Sequence, residues 1–238
     1  MPQTVELDTS DGDMPAYTAG PDGPPRGGVV VVQEAFGLTS HIGDVTRRVA
    51  AAGYLAIAPA LFHRTGSPTL AYDGGMEAIT PHMGALTRDA IVADLDASFG
   101  WLREHGVPVS GQGIVGFCMG GSVATFAASA FAIGASVSFY GGGVGQGRFG
   151  FPPLVEVASS FTTPWLGLYG SEDHGIPLDD VERIEAEAAK APVETEVIVY
   201  PGAQHGFHCN DRPAVYDADA SKAAWAKTLE FFAAHLSV

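Results

Sequence analysis

The hexapeptide Gly116-Phe117-Cys118-Met119-Gly120-Gly121 restricts what this chain can become more than any other stretch. An apolar pair, Ile114-Val115, precedes it and reads as the end of a buried strand. Ser122 to Ala128 follows and reads as a helix. Glycines two residues to either side of Cys118 permit a turn so sharp that a side chain at either position would strike backbone. In such a nucleophile elbow the central side chain stands exposed between strand and helix. The free N–H groups of the helix start favour a thiolate there and can cradle an oxyanion. A structural cysteine beside a glycine-rich turn would give the same six letters, so the rest of the chain has to decide.

Taken in order, Thr4–Leu7 and Met14–Thr18 read as two strands joined at Asp11-Gly12, an antiparallel hairpin. Val29 to Gln33 is an unbroken β-branched run, expected as a central strand covered on both faces. A helix over about His41–Ala52 ends at Gly53, and Tyr54–Ala58 is a buried strand stopped by Pro59. His63 to about Gly84, broken by prolines and glycines, reads as a long loop or lid. A helix over about Leu86–His105 puts Ile91, Val92, Leu95, Phe99 and Leu102 on one face. Strands are expected at Ala135–Tyr140, Pro164–Tyr169 and Glu194–Tyr200, with a helix opened by Pro177. The last helix, about Val215–Leu236, carries a stripe of Trp225, Leu229, Phe232 and Leu236.

Strands alternating with helices after a hairpin predict an α/β fold: a mostly parallel central sheet with helices on both faces and an N-terminal antiparallel hairpin. The length suits one domain, residues 1–238. No run approaches the roughly 18 apolar residues of a membrane span. The start, Met1-Pro2-Gln3-Thr4, lacks a basic segment followed by an apolar one, so no signal peptide is expected. Two cysteines make no disulfide framework, which points to a reduced, cytoplasmic setting. The net charge of -15 argues against nucleic acid and anionic membrane surfaces as partners. A small-molecule substrate, a monomer or homodimer, and no cofactor are expected.

Ligands of open α/β sheets bind at the C-terminal ends of the strands. Collected from those ends, the candidates are Glu34, Cys118, Asp173 and His205. Nucleophile, acid, histidine is the chain order of α/β-hydrolase triads. Cys118 would attack a carbonyl carbon, His205 would take the thiol proton and later activate water, and Asp173 would fix the imidazole. Glu172 competes with Asp173 for the acid role. The backbone N–H groups of Met119 and Ala35 would form the oxyanion hole. Phe36, Phe62, Tyr72, Phe207 and Trp225 are candidates for the pocket wall. His205 and His208, three apart without a clear acidic partner, do not make a metal site.

Four motifs together resemble the dienelactone hydrolase family, cysteine hydrolases of the α/β-hydrolase fold: Gln33-Glu34-Ala35-Phe36-Gly37, the elbow, Gly170-Ser171-Glu172-Asp173 with Ile176-Pro177, and Gly202-Ala203-Gln204-His205-Gly206-Phe207. The likeness runs nearly the full length and implies a carboxymethylenebutenolidase-type reaction through an acyl-enzyme on a small ester or lactone. It implies a role for Glu34 beside the thiol, holding Cys118 protonated until substrate arrives. It also implies two arginines gripping a substrate carboxylate. One would stand four residues after the histidine, where this chain has Cys209; Arg212 follows three residues on. For the other, Arg64 and Arg88 are available. Without those clamps the pocket would favour a neutral ester or lactone. Two alternatives stay open: a slow or non-hydrolytic lactone-binding protein, and redox pairing of Cys118 with Cys209.

Overall fold

The computed structural model describes residues 3–237. Eight strands form one sheet in the order β1-β2-β4-β3-β5-β6-β7-β8: β1 (Gln3–Thr9), β2 (Gly12–Ala19), β3 (Gly28–Val32), β4 (Leu55–Pro59), β5 (Gln112–Phe117), β6 (Ala135–Phe139), β7 (Trp165–Gly170) and β8 (Thr195–Tyr200). β1 and β2 form the expected hairpin, and β2 pairs antiparallel with β4. All other pairings are parallel. Every residue of β3, β5, β6 and β7 is buried, as the valine-rich and small-residue runs require of strands covered on both faces.

The longer helices are α1 (Ser40–Ala51), α2 (Gly75–Gly84), α3 (Arg88–Glu104), α4 (Met119–Ala130), α6 (Leu178–Ala188) and α7 (Ala218–His235), with a single turn, α5 (Leu154–Val157), between β6 and β7. The chain runs from β3 out to β4 and then back past β3 to β5, so right-handed crossovers put α1 on one face and α3 and α4 on the other. Arg48 of α1 stacks on Trp225 of α7 at 4.3 Å, which joins those two helices on the same face. Thr39 and Thr87 cap α1 and α3 by accepting from Ile42 N–H and Ala90 N–H. Because the strand order reverses at β3, the carboxyl ends of β3 and β5 open a crevice, and the elbow and Glu34 sit at its floor.

Two expectations need correction. The excursion after β4 is not a bare loop: a 3-10 turn at His63–Thr65 and helix α2 lie within it. Gly74-Gly75 at its start and Pro81 inside it disguised α2, which buries only Ile79. The inner stripe of α7 is Ala220, Ala224, Thr228, Phe231 and Phe232; Trp225 and Leu229 are only partly buried.

Candidate active site

The elbow has the backbone its glycines foretold. Cys118 adopts φ 55, ψ -111, a region that side-chain-bearing residues seldom occupy. The strain is held from several sides. Cys118 N–H donates to Phe139 O at 3.0 Å, and Gly120 N–H donates to Gln33 O at 3.1 Å. A Cβ on Gly120 would lie 2.6 Å from Gln33 O, and one on Gly116 would run into Gly120 backbone. Ser138 Oγ and Ser122 Oγ donate to Gly121 O (2.9 Å) and Gly142 O (2.7 Å), tying the elbow to the end of β6. Met119 opens α4, where an N–H has no intrahelical acceptor. The Ala35 N–H likewise donates to no other group among the described residues.

Asp173 and His205 meet above the sheet. Asp173 Oδ2 accepts from His205 Nδ1 at 2.6 Å, and its other oxygen accepts from Gly175 N–H at 2.9 Å. Glu172 makes no such contact and lies at the pocket edge, so of the two acids Asp173 is the one paired with the imidazole. Cys118 is half-buried and lines the same cavity as His205, close enough to bear on the charge of the imidazole. Burial works against a charged ring, but the charge and hydrogen bond of Cys118 and the Asp173 carboxylate outweigh it, raising the His205 pKa to about 10. These groups face a cavity of about 430 Å³.

Two guanidiniums line that cavity, Arg148 and Arg212. Arg212 lies over the rings of Phe36 (5.5 Å) and Tyr72 (5.8 Å), and Arg148 over Phe149 (5.1 Å). Neither is joined to a carboxylate among the described residues. Arg148 went unnoticed in the sequence. It follows Gly141-Gly142-Gly143 at the end of β6, the same kind of post-strand position that yielded the other candidates. Arg212, the candidate clamp after the histidine, thus lines the cavity together with Arg148.

Other candidates fall elsewhere. Arg88 lies over Phe126 at 5.6 Å and does not line the cavity. Arg64 is committed to the buried Asp94 (2.8 and 2.9 Å) and to Asp11 (2.7 Å). Phe207 is core, packed against Phe139, Tyr140 and Tyr200. Phe62 is buried beside His82. Cys209 is fully buried, with its thiol 3.5 Å from the Tyr72 hydroxyl. Burial first, and then the charge of Glu34, push its pKa up to about 12, the profile of an inert thiol.

Glu34 is fully enclosed, and neither carboxylate oxygen has a hydrogen-bond partner, Cys118 included. Its surroundings are Tyr140, Cys209, Tyr72 and His41. Tyr140, at φ 41, is buried with an unpartnered hydroxyl, and burial raises its pKa well above the usual phenol value. Donor atoms of Glu34, His41 and Cys209 lie within 4.8 Å of one another. A tetrahedral ion bonded at ~2 Å to each would hold its donors about 3.3 Å apart. Glu34 and His41 do not approach within 4.0 Å, so a shared ion would require them to move.

The chain is similar to known hydrolases along most of its length. The model of the dienelactone hydrolase family matches residues 14–236. A protein of Escherichia coli K12 named "Putative carboxymethylenebutenolidase" is 39% identical over 230 residues, covering 94% of this chain and 83% of its own length. A Bradyrhizobium protein named "Probable 2-oxo-3-(5-oxofuran-2-ylidene)propanoate lactonase" is 31% identical, covering 98% and 94%. The crystal structure described as a "Putative Dienelactone Hydrolase" from Klebsiella pneumoniae superposes with a TM-score of 0.90 at 35% identity, covering 98% of both chains. With one mostly parallel sheet, an elbow at the crevice and a family match that spans almost all of it, the chain belongs to the dienelactone hydrolase family and is an ester or lactone hydrolase.

Proposed function

We propose that the protein hydrolyses small esters or lactones through a cysteine nucleophile, with Cys118, His205 and Asp173 as its triad. The observation that carries this reading is the 2.6 Å contact from Asp173 to His205, with the elbow thiol lining the same cavity as both. His205 takes the Cys118 thiol proton, which leaves a thiolate beside an imidazolium. The thiolate attacks the carbonyl carbon, and the oxyanion that forms is held by the N–H groups of Ala35 and Met119. Each such donor is worth about 10²–10³ in rate. Collapse breaks the C–O bond, and His205 gives its proton to the leaving oxygen. In a lactone that oxygen stays tethered to the acyl group. Water, deprotonated by His205, then opens the thioester and restores the thiol pair.

The substrate class follows from the pocket wall. Arg148 and Arg212, unpaired with carboxylates, favour an ester or lactone that also carries an anionic group. Phe36 and Tyr72 serve as the surface on which Arg212 lies, rather than as direct contacts to the ring of the substrate.

The test is a hydrolysis panel of carboxylate-bearing enol lactones, neutral lactones and nitrophenyl esters, run on the parent and on Cys118→Ala. The variant should lose turnover of all of them. Turnover at the parent rate would overturn the cysteine mechanism. No preference for the anionic lactones over the neutral ones would overturn the substrate reading alone.

A further inference from the structure

None of these steps uses a buried polar pair behind the pocket. Glu34 stands just past β3 and His41 is the second residue of α1. Both are enclosed, at 0% and 1% exposure, and all four of their side-chain heteroatoms lack a hydrogen-bond partner. Leaving two polar groups bare in a medium of low dielectric is costly, by several kcal/mol for a charged one. The cost falls if the two share a proton. Their separation, beyond a direct ion pair but inside 4.8 Å, is one that a small motion or a single bridging water spans.

The other groups facing the pair leave few choices. Cys209, Tyr72 and Tyr140 are weak acids whose pKa values burial raises, so each stays neutral. Arg212 stacks on Phe36 and Tyr72 and makes no ion pair with Glu34. On the far side of His41 lies His208, ring to ring at 5.4 Å, with Arg48 at 3.4 Å beyond it. Burial, and then His41 and Arg48, keep the His208 pKa well below that of a free imidazole. His41 and His208 meet edge to face, and of the two rings only His41 stands beside the carboxylate.

We propose that His41 is the positioning partner of Glu34. Its imidazole takes the carboxyl proton to form an imidazolium–carboxylate pair and returns it to restore the neutral acid. One proton moves between one Glu34 oxygen and one His41 ring nitrogen, across that small motion or bridging water, so the net charge of the pair is unchanged. Glu34 can thereby change charge while remaining enclosed. The proposal rests on the reading of Cys118 as nucleophile only for its catalytic consequence, not for the pairing itself.

The pairing is tested by NMR titration of the histidine rings. The His41 midpoint should fall by about one pH unit or more in Glu34→Gln, the effect expected on removing an opposite charge ~4–6 Å away. The same fall should appear in a Cys118→Ala background. If it appears while Cys118→Ala still turns over substrate, the pairing stands and the cysteine mechanism fails. An unchanged midpoint overturns the pairing. For the catalytic consequence, His41→Asn and His41→Gln should lower kcat/KM about tenfold at the acidic end, shifting that limb of the pH profile by about one unit. Glu34→Gln combined with His41→Asn should be no worse than the poorer single variant. Folded His41 variants with the parent's pH profile would overturn that role. Should neither variant fold, the titration of Glu34→Gln still decides.

Discussion

At the scale of single residues, the His205 ring sets a pH dependence of its own. The His205 pKa stands at about 10 in the fold against 6.5 for the free side chain. A base whose pKa is raised by folding adds stability that is complete below the unfolded value and disappears as pH climbs through the folded one. Urea midpoints of the parent should therefore decline between about pH 6.5 and about 10. His205→Asn should flatten that decline, and identical pH dependence in the two proteins would refute the assignment. The post-strand positions of Cys118, Asp173 and His205 were legible in the sequence because each follows its own apolar run. The substrate-wall residues were not. Arginine reaches far, and which of Arg64, Arg88, Arg148 and Arg212 meets a pocket depends on partners elsewhere: Asp94 captures the first and Phe126 the second. His41 was hidden for a related reason. Its sequence context is an ordinary helix start, and only the fold brings it to Glu34.

At the scale of elements, one buried carboxylate organises the excursion after β4. Asp94, on the inner face of α3, accepts two hydrogen bonds from Arg64 and one from His63 at 3.2 Å. Arg64 also reaches Asp11 in the β1–β2 turn, so helix, excursion and hairpin meet at one charge cluster. Removing one member of a buried pair leaves the other uncompensated, typically at about 3–5 kcal/mol. Asp94→Ala should lose stability on that scale in urea unfolding, whereas Asp11→Ala, whose carboxylate is exposed, should change it little. Equal effects would mean the anchor lies elsewhere. The elbow supplies a second test. Gly120→Ala would press a methyl group into the backbone of Val32 and Gln33, neither of which can yield without disturbing β3. We expect overpacking of about 1–3 kcal/mol and loss of turnover. Stability and turnover equal to the parent would show that the elbow can relax. The elbow could be read from the sequence because its glycines have no alternative use. Helix α2 could not, since Gly74, Gly75 and Pro81 all argue locally against a helix.

At the scale of the whole molecule, the net charge of -15 opposes the two cations of the pocket wall. A unit anion at the surface of a sphere of about 20 Å radius carrying that charge would be repelled by roughly 3 kcal/mol in water without salt. At physiological ionic strength, with a Debye length of ~8 Å, about 1 kcal/mol of that repulsion remains. Two guanidiniums several ångströms from a bound carboxylate attract it by a comparable amount, on the order of 1–2 kcal/mol. The attraction offsets part of the repulsion at low salt and nearly all of it at physiological ionic strength, so kcat/KM for an anionic lactone should rise less steeply with salt in the parent than without the arginines. Replacing Arg148 and Arg212 by alanine together removes the local attraction and leaves the repulsion. In that variant kcat/KM for the anionic substrate should drop, and then recover severalfold as salt is raised from low to high concentration. A neutral ester should show neither effect. Steady-state kinetics of both substrates across an ionic-strength series measures this directly. Parallel salt curves for parent and double variant would mean that the arginines take no part in attracting substrate, and that the acidic surface governs access alone.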